Sequence, residues 1–174
     1  VDANGEAGWE AAGGGGATDI DGLTDAITNS SGQTVGLGTG ALANDDGSTN
    51  SNTALGYDAL NDVTSGSFNT ALGLSAGDGI TTNTGVVAIG YRSGRKSGAE
   101  SVWVGTNAGG ETTGTISTSG SVGIGYDALV NATSYGNVAV GSNTGKYITI
   151  GQNNTFIGRD AGASGYNMTT GTNN

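Results

Sequence analysis

The sequence predicts an all-β chain wound as a parallel β-roll, or β-solenoid, of about eight short coils. Three observations carry this. A phrase centred on an aliphatic residue followed by glycine recurs eight times from Gln33 onward, at intervals of 18, 17, 17, 15, 20, 16 and 17 residues. Residues before that glycine alternate with period two, the mark of a short strand. Segments between phrases are rich in Asn, Asp, Gly, Ser and Thr, each suited to turns. Self-similarity at such a period means one small unit stacked on copies of itself.

The phase glycines are Gly38, Gly56, Gly73, Gly90, Gly105, Gly125, Gly141 and Gly158. Position −1 is always aliphatic: Leu37, Leu55, Leu72, Ile89, Val104, Ile124, Val140 and Ile157. Position −3 is Val or Thr, and −2 is small except at Trp103 and Phe156. Alternation places −1 and −3 on one face and −2 on the other. The expected core is the −1 series, with the small face left for close approach of another chain. After the glycine, +3 is Ala, Ser or Thr and +4 is Leu or Gly. Asn52, Asn69, Asn137 and Asn154 open their phrases, where Asn tolerates left-handed dihedrals and can stack into a ladder. The stretch Tyr147–Gly151 fits the strand pattern out of phase and reads as a locally altered coil.

Residues 1–32 form a Gly-rich lead-in with four consecutive glycines, Gly13 to Gly16, and a short helical turn is expected after them, capped by Thr18 or Asp19. The repeats occupy 33–174. The first residue is Val1, and the closing Thr172-Asn173-Asn174 resembles the lead-in to the eighth phrase, so the chain reads as a piece of a longer protein whose repeats continue.

Composition narrows the function. There are 36 glycines and no Pro, Cys or His, with a net charge of −10. Absence of cysteine excludes a disulfide framework and thiolate chemistry. Residues 1–78 carry 11 acidic and no basic side chains, against 4 acidic and 5 basic in 79–174. Such acidity argues against nucleic acid, which needs clustered Lys and Arg, and no apolar run is long enough for membrane insertion as a helix. With only 30 Leu, Ile, Val and Phe residues, a single chain has a thin core for its length. Self-association, most simply a symmetric homotrimer about the long axis, supplies the missing burial.

Candidate chemistry reads as structure. Gly73-Leu74-Ser75-Ala76-Gly77 matches a nucleophile elbow, but the chain holds no His to serve as base. Gly141 to Tyr147 is one residue short of a phosphate loop and lacks its Ser or Thr. Asp19, Asp21, Asp25 and the Asn44-Asp45-Asp46-Gly47 run lack the full ligand spacing of a calcium loop. Asp58 and Asp127 hold equivalent repeat positions and read as turn residues. No catalytic, cofactor or metal residues are assigned. The candidate surface contact is the basic cluster Arg92, Arg95 and Lys96 with Trp103, a patch suited to an anionic glycan.

The phrases Asn52-Thr53-Ala54-Leu55-Gly56-Tyr57-Asp58-Ala59-Leu60, Val87-Ala88-Ile89-Gly90 and Ser121-Val122-Gly123-Ile124-Gly125-Tyr126 resemble the β-roll repeats of trimeric autotransporter adhesin heads. They are closer still to the NTA-(L/I/V)-G-Y-x-A-L repeats of bacteriophage tail fibres, and the lead-in Gly13–Ala26 is similar to segments of such fibres. The resemblance implies a non-enzymatic, elongated homotrimer, each chain a left-handed β-roll about a shared axis. It would sit in the virion tail, outside the cell. Partners would be other tail proteins and a host-surface glycan or protein. The alternatives are the head of a bacterial trimeric adhesin and a β-solenoid tailspike that degrades polysaccharide.

Overall fold

In the computed structural model, which describes residues 26–29, 33–48, 50–110 and 118–163, the chain is a β-solenoid. Eight parallel strands stack in chain order: β2 (Thr34–Leu37), β3 (Thr53–Leu55), β4 (Thr70–Leu72), β5 (Val87–Ile89), β6 (Val102–Val104), β7 (Val122–Ile124), β8 (Val138–Val140) and β9 (Thr155–Ile157). Seven turns connect them, and no helix occurs among the described residues. A further strand, β1 (Ala26–Asn29), runs antiparallel along the edge of β2. The helical turn expected near Thr18 and Asp19 lies outside the described residues.

Register is one-to-one by repeat position: Thr53 pairs with Thr70, Thr70 with Val87 and Val87 with Val102. Hydrogen bonding between coils continues past the strands. The phase-glycine N–H donates to the −1 carbonyl of the preceding coil, as from Gly73 to Leu55 O at 2.8 Å. The +4 N–H donates to the +3 carbonyl of the following coil, as from Leu60 to Ala76 O at 2.9 Å. Alternate bonds thus bind each coil to both neighbours, which satisfies backbone that a lone strand of three residues would leave open.

The phase position requires glycine for two separate reasons. Its φ lies between 116 and 138°, outside the range of L-residues. A Cβ on Gly73 would also stand 2.7 Å from Gly90 O in the next coil, and one on Gly56 2.5 Å from Gly73 O. Turns are completed by left-handed residues at +2 and +4, including Asp58, Asp127 and Leu60, and at −5, including Ser51 and Phe68.

The strand faces are inverted relative to the sequence-based expectation. Position −2 points into the coil: Ala54, Ala71, Ala88, Trp103 and Ala139 are buried. The −1 series Leu37, Leu55, Leu72, Ile89, Val104, Ile124, Val140 and Ile157 points away from it, with Leu55 45 % and Leu72 44 % exposed. The −1 residues therefore do not form the single-chain core, and the small face is not an outer surface. The reason is the width of the coil. A Cβ on Gly36 would already sit 3.1 Å from Leu42 Cδ1, so a −2 residue facing a +4 Leu must be small. The interior has no room for a row of leucines on the strand as well.

The actual core is built from +3 Ala, −2 Ala, larger apolar groups from several loop positions, and −4 residues that are polar except for Val86. Leu42, Leu60 and Leu129 supply larger groups from +4; Val63, Ile80 and Ile148 supply them from +7. Ile148 thereby accounts for Tyr147–Gly151, which is the return loop of an ordinary coil and contains no strand. Asn52, Asn69, Asn137 and Asn154 are fully buried. They stack as two separate pairs, broken by Val86, Ser101 and Ser121 at the intervening −4 positions: Asn52 Oδ1 accepts from Asn69 N–H, Asn69 Oδ1 from Val86 N–H, and Asn137 Oδ1 from Asn154 N–H, at 2.9 to 3.1 Å. None of the four has positive φ; the residue before each carries it.

Gly73→Ala is expected to cost more than about 2 kcal/mol of unfolding free energy, because it meets both a forbidden φ and a backbone clash. Gly120→Ala, with φ 67° and open space around the new Cβ, should cost only about 1–2 kcal/mol. Denaturant unfolding of the two variants checks the difference.

Candidate functional site

Trp103 stands inside the coil, not on a surface. It is fully buried, with its Nε1–H donating to Ser97 Oγ at 2.6 Å. Three coils make room for it. A Cβ on Gly94, Gly109 or Gly123 would lie 2.8, 2.4 or 2.7 Å from the indole. Ser93, Ala88 and Ala108 complete the small-residue shell, and Ser93 Oγ donates to Trp103 O. Position −2 can carry a ring because +4 is then glycine, a trade repeated where Phe156 faces Gly162. Trp103, wholly enclosed, is therefore no part of the surface contact expected with Arg92, Arg95 and Lys96.

The basic residues occupy the turn of the fourth coil and stay near the surface. Arg95 Nε lies 3.2 Å from Asp78 Oδ2 of the coil before it, and the Arg92 guanidinium lies 5.9 Å from the Tyr91 ring centroid. Lys96 is exposed, its stem close over Gly79. The cluster is real as a turn, but its aromatic neighbour is Tyr91.

The acidic candidates act as turn residues. Asp127 is at +2 with φ 52°, and its carboxylate accepts from Asn107 Nδ2 of the preceding coil and Lys146 Nζ of the next. Asn143 Nδ2 likewise donates to Asp160 Oδ1. Alternating Asn and Asp along +2 from Asn107 to Asp160 avoids stacking carboxylates one strand spacing apart, where like charges repel. In the Asp45–Asp46 loop the carboxylates accept from Gly47 and Ser48 N–H at 2.9 Å. Hydrogen bonds from Ser48 lower the Asp46 pKa below its ordinary value. Among the described residues no group of three or more His, Cys, Asp or Glu is placed to hold a metal ion, and no helix is long and apolar enough to cross a membrane.

What the structure does expose is an uncharged apolar face. The eight −1 and eight −3 positions hold only Leu, Ile, Val and Thr, although the chain carries 20 charged residues. They line up strand over strand through the parallel register. Beyond the phase glycine, at +1, stand the exposed Tyr57, Leu74, Tyr91 and Tyr126, and on the other flank, at −5, Phe68 is 65 % exposed with φ 58°. The alternation visible in sequence located this face; only the coil width decides that it points outward.

No family model, curated protein or solved structure matches the chain.

Trp103→Ala should lower stability by about 3–5 kcal/mol, read from denaturant unfolding, since three coils lose their shared filler. The Lys146–Asp127 pair gives a pH-dependent prediction. Its hydrogen bond with Asp127 raises the Lys146 pKa above the ordinary 10.5. The associated stability is then fully present below pH 10.5 and lost as pH rises through the higher folded-state value. Lys146→Met should cost about 0–1 kcal/mol near neutral pH, and its difference from the parent chain should vanish in strongly alkaline solution.

Proposed function

We propose that the chain is a non-enzymatic structural segment of a bacteriophage tail fibre that serves attachment to the host surface. In this reading three copies pack their strand faces about a common axis. The observation that carries it is the uncharged ladder of −1 and −3 side chains. Isolated apolar residues on a surface are ordinary, but a continuous apolar sheet face on an acidic chain marks an interaction surface. Its lack of charge is what the centre of a protein interface requires. Coils alike at −1 and −3 make the face nearly uniform along the axis, so it suits a partner with the same rise per unit, which a second and third copy of this chain supply.

The sequence resemblance to tail-fibre repeats points the same way. Coil stacking at about 4.8 Å per strand gives eight strands a span of about 34 Å along the axis. Such a rod spaces a virion from its host, and the work asked of it is mechanical.

Sedimentation equilibrium tests the assembly. The parent chain is expected at the mass of three copies. Leu72→Asp with Ile89→Asp places six carboxylates at the shared axis and should yield single chains. Ile150→Asp changes an isoleucine 54 % exposed in a return loop and should leave the mass unaltered. A parent chain sedimenting as one copy would contradict the reading.

A further inference from the structure

We infer that the +1 positions form a binding strip for an extended β-1,4-linked polysaccharide lying along the fibre axis. The inference deepens the attachment reading and rests on it. Tyr57, Tyr91 and Tyr126 occupy the same repeat position in the second, fourth and sixth coils, and are 55 %, 45 % and 53 % exposed. Their backbone positions stack directly. Ser75 N–H donates to Tyr57 O, Arg92 N–H to Leu74 O, Asn107 N–H to Tyr91 O and Asp127 N–H to Thr106 O, all at 2.8 to 3.0 Å. The three tyrosines therefore form one straight row, spaced by two coil rises, about 9.6 Å.

That spacing has a chemical counterpart. In an extended β-1,4-linked chain each pyranose advances by close to one coil rise and is turned over relative to the last. Every second sugar thus presents the same C–H-bearing face to one side. A row of phenol rings at two-coil spacing can stack on those faces, while each Tyr hydroxyl remains able to reach a ring hydroxyl. Leu74 and Thr106 stand in the row between the tyrosines, giving the intervening sugars an apolar and a hydroxyl neighbour. An α-linked chain, which coils, cannot keep this alignment over four coils. The solenoid backbone fixes the row in advance, so little ordering is needed on binding.

Isothermal titration calorimetry on the assembled protein, with cellohexaose and chitohexaose as probes and maltohexaose as control, tests this. Binding is expected to at least one β-1,4 hexamer and not to maltohexaose. The triple variant Tyr57→Ala, Tyr91→Ala, Tyr126→Ala should weaken it about tenfold or more, with its sedimented mass unchanged. Tyr135→Ala, equally exposed but off the row, should have no effect. Absence of binding to both β-1,4 hexamers, or binding that survives the triple variant, overturns the inference. A triple variant that loses the assembled mass also overturns it, since the tyrosines are then subunit contacts. Failure of the strip leaves the trimer measurement standing, so the two readings fail separately.

Discussion

Everything in this fold depends on equivalent repeat positions lying directly over one another at one strand spacing. The phase glycines enforce this. From Gly38 to Gly141, each has its α-carbon so close to the next coil's phase carbonyl that a methyl group would overlap it by several tenths of an ångström. Once these atoms are in line, the rest of each coil has little freedom. The −4 side chain must meet the next −4 amide, and Asn serves because its Oδ1 accepts from that amide while its Nδ2 reaches a return-loop carbonyl, as Asn69 does with Asn83 O. Val86 is the one hydrophobic −4 residue: its N–H donates to Asn69 Oδ1, but its side chain offers no acceptor to the next coil.

Close stacking also explains how so few aliphatics suffice inside. Coil interiors are narrow and filled by methyl-sized groups, plus larger groups drawn variously from +4, +7 and −2. Leu60 fills the space over Gly77, Leu129 that over Gly145, and Trp103 that around Gly94, Gly109 and Gly123. Large and small residues compensate both within a coil and between neighbouring coils, which is why single repeats look irregular while the stack does not. The short coil between Gly90 and Gly105 is one of the three that meet the indole, through Gly94.

Much of this was legible in the chain. The period gave the coil, the alternation located the eight parallel strands though not the edge strand β1, and the recurring Asn gave two stacked pairs. The direction of the strand face was not legible, because period two separates two faces without saying which is inside. Hydrophobicity favours Leu72 and Ile89 as interior; geometry excludes them. A signal did exist in the pairing of −2 with +4: Trp103 with Gly109, Phe156 with Gly162, and Gly36 with Leu42 compensate in size, as only residues sharing a volume do. The same pattern marks Trp103 as interior. The +7 core position was hidden because Val63, Ile80, Ser97 and Ile148 vary in type within loops of unequal length. Straightness of the tyrosine row needed the hydrogen-bond register as well as the spacing.

The stacking itself is open to a direct chemical measurement, since the chain has no cysteine of its own. Thr53 and Thr70 are exposed register partners on adjacent strands, and Thr53 and Val87 are two coils apart. Adjacent parallel strands place partner α-carbons about 4.8 Å apart, inside the range a disulfide spans, while two coils exceed it. Mass analysis of the oxidised, denatured double variants should find a within-chain disulfide in Thr53→Cys/Thr70→Cys and free thiols, or only between-chain links, in Thr53→Cys/Val87→Cys. A within-chain disulfide in the second pair and none in the first would contradict the stacked register on which the fold, the outer apolar face and the tyrosine row all rest.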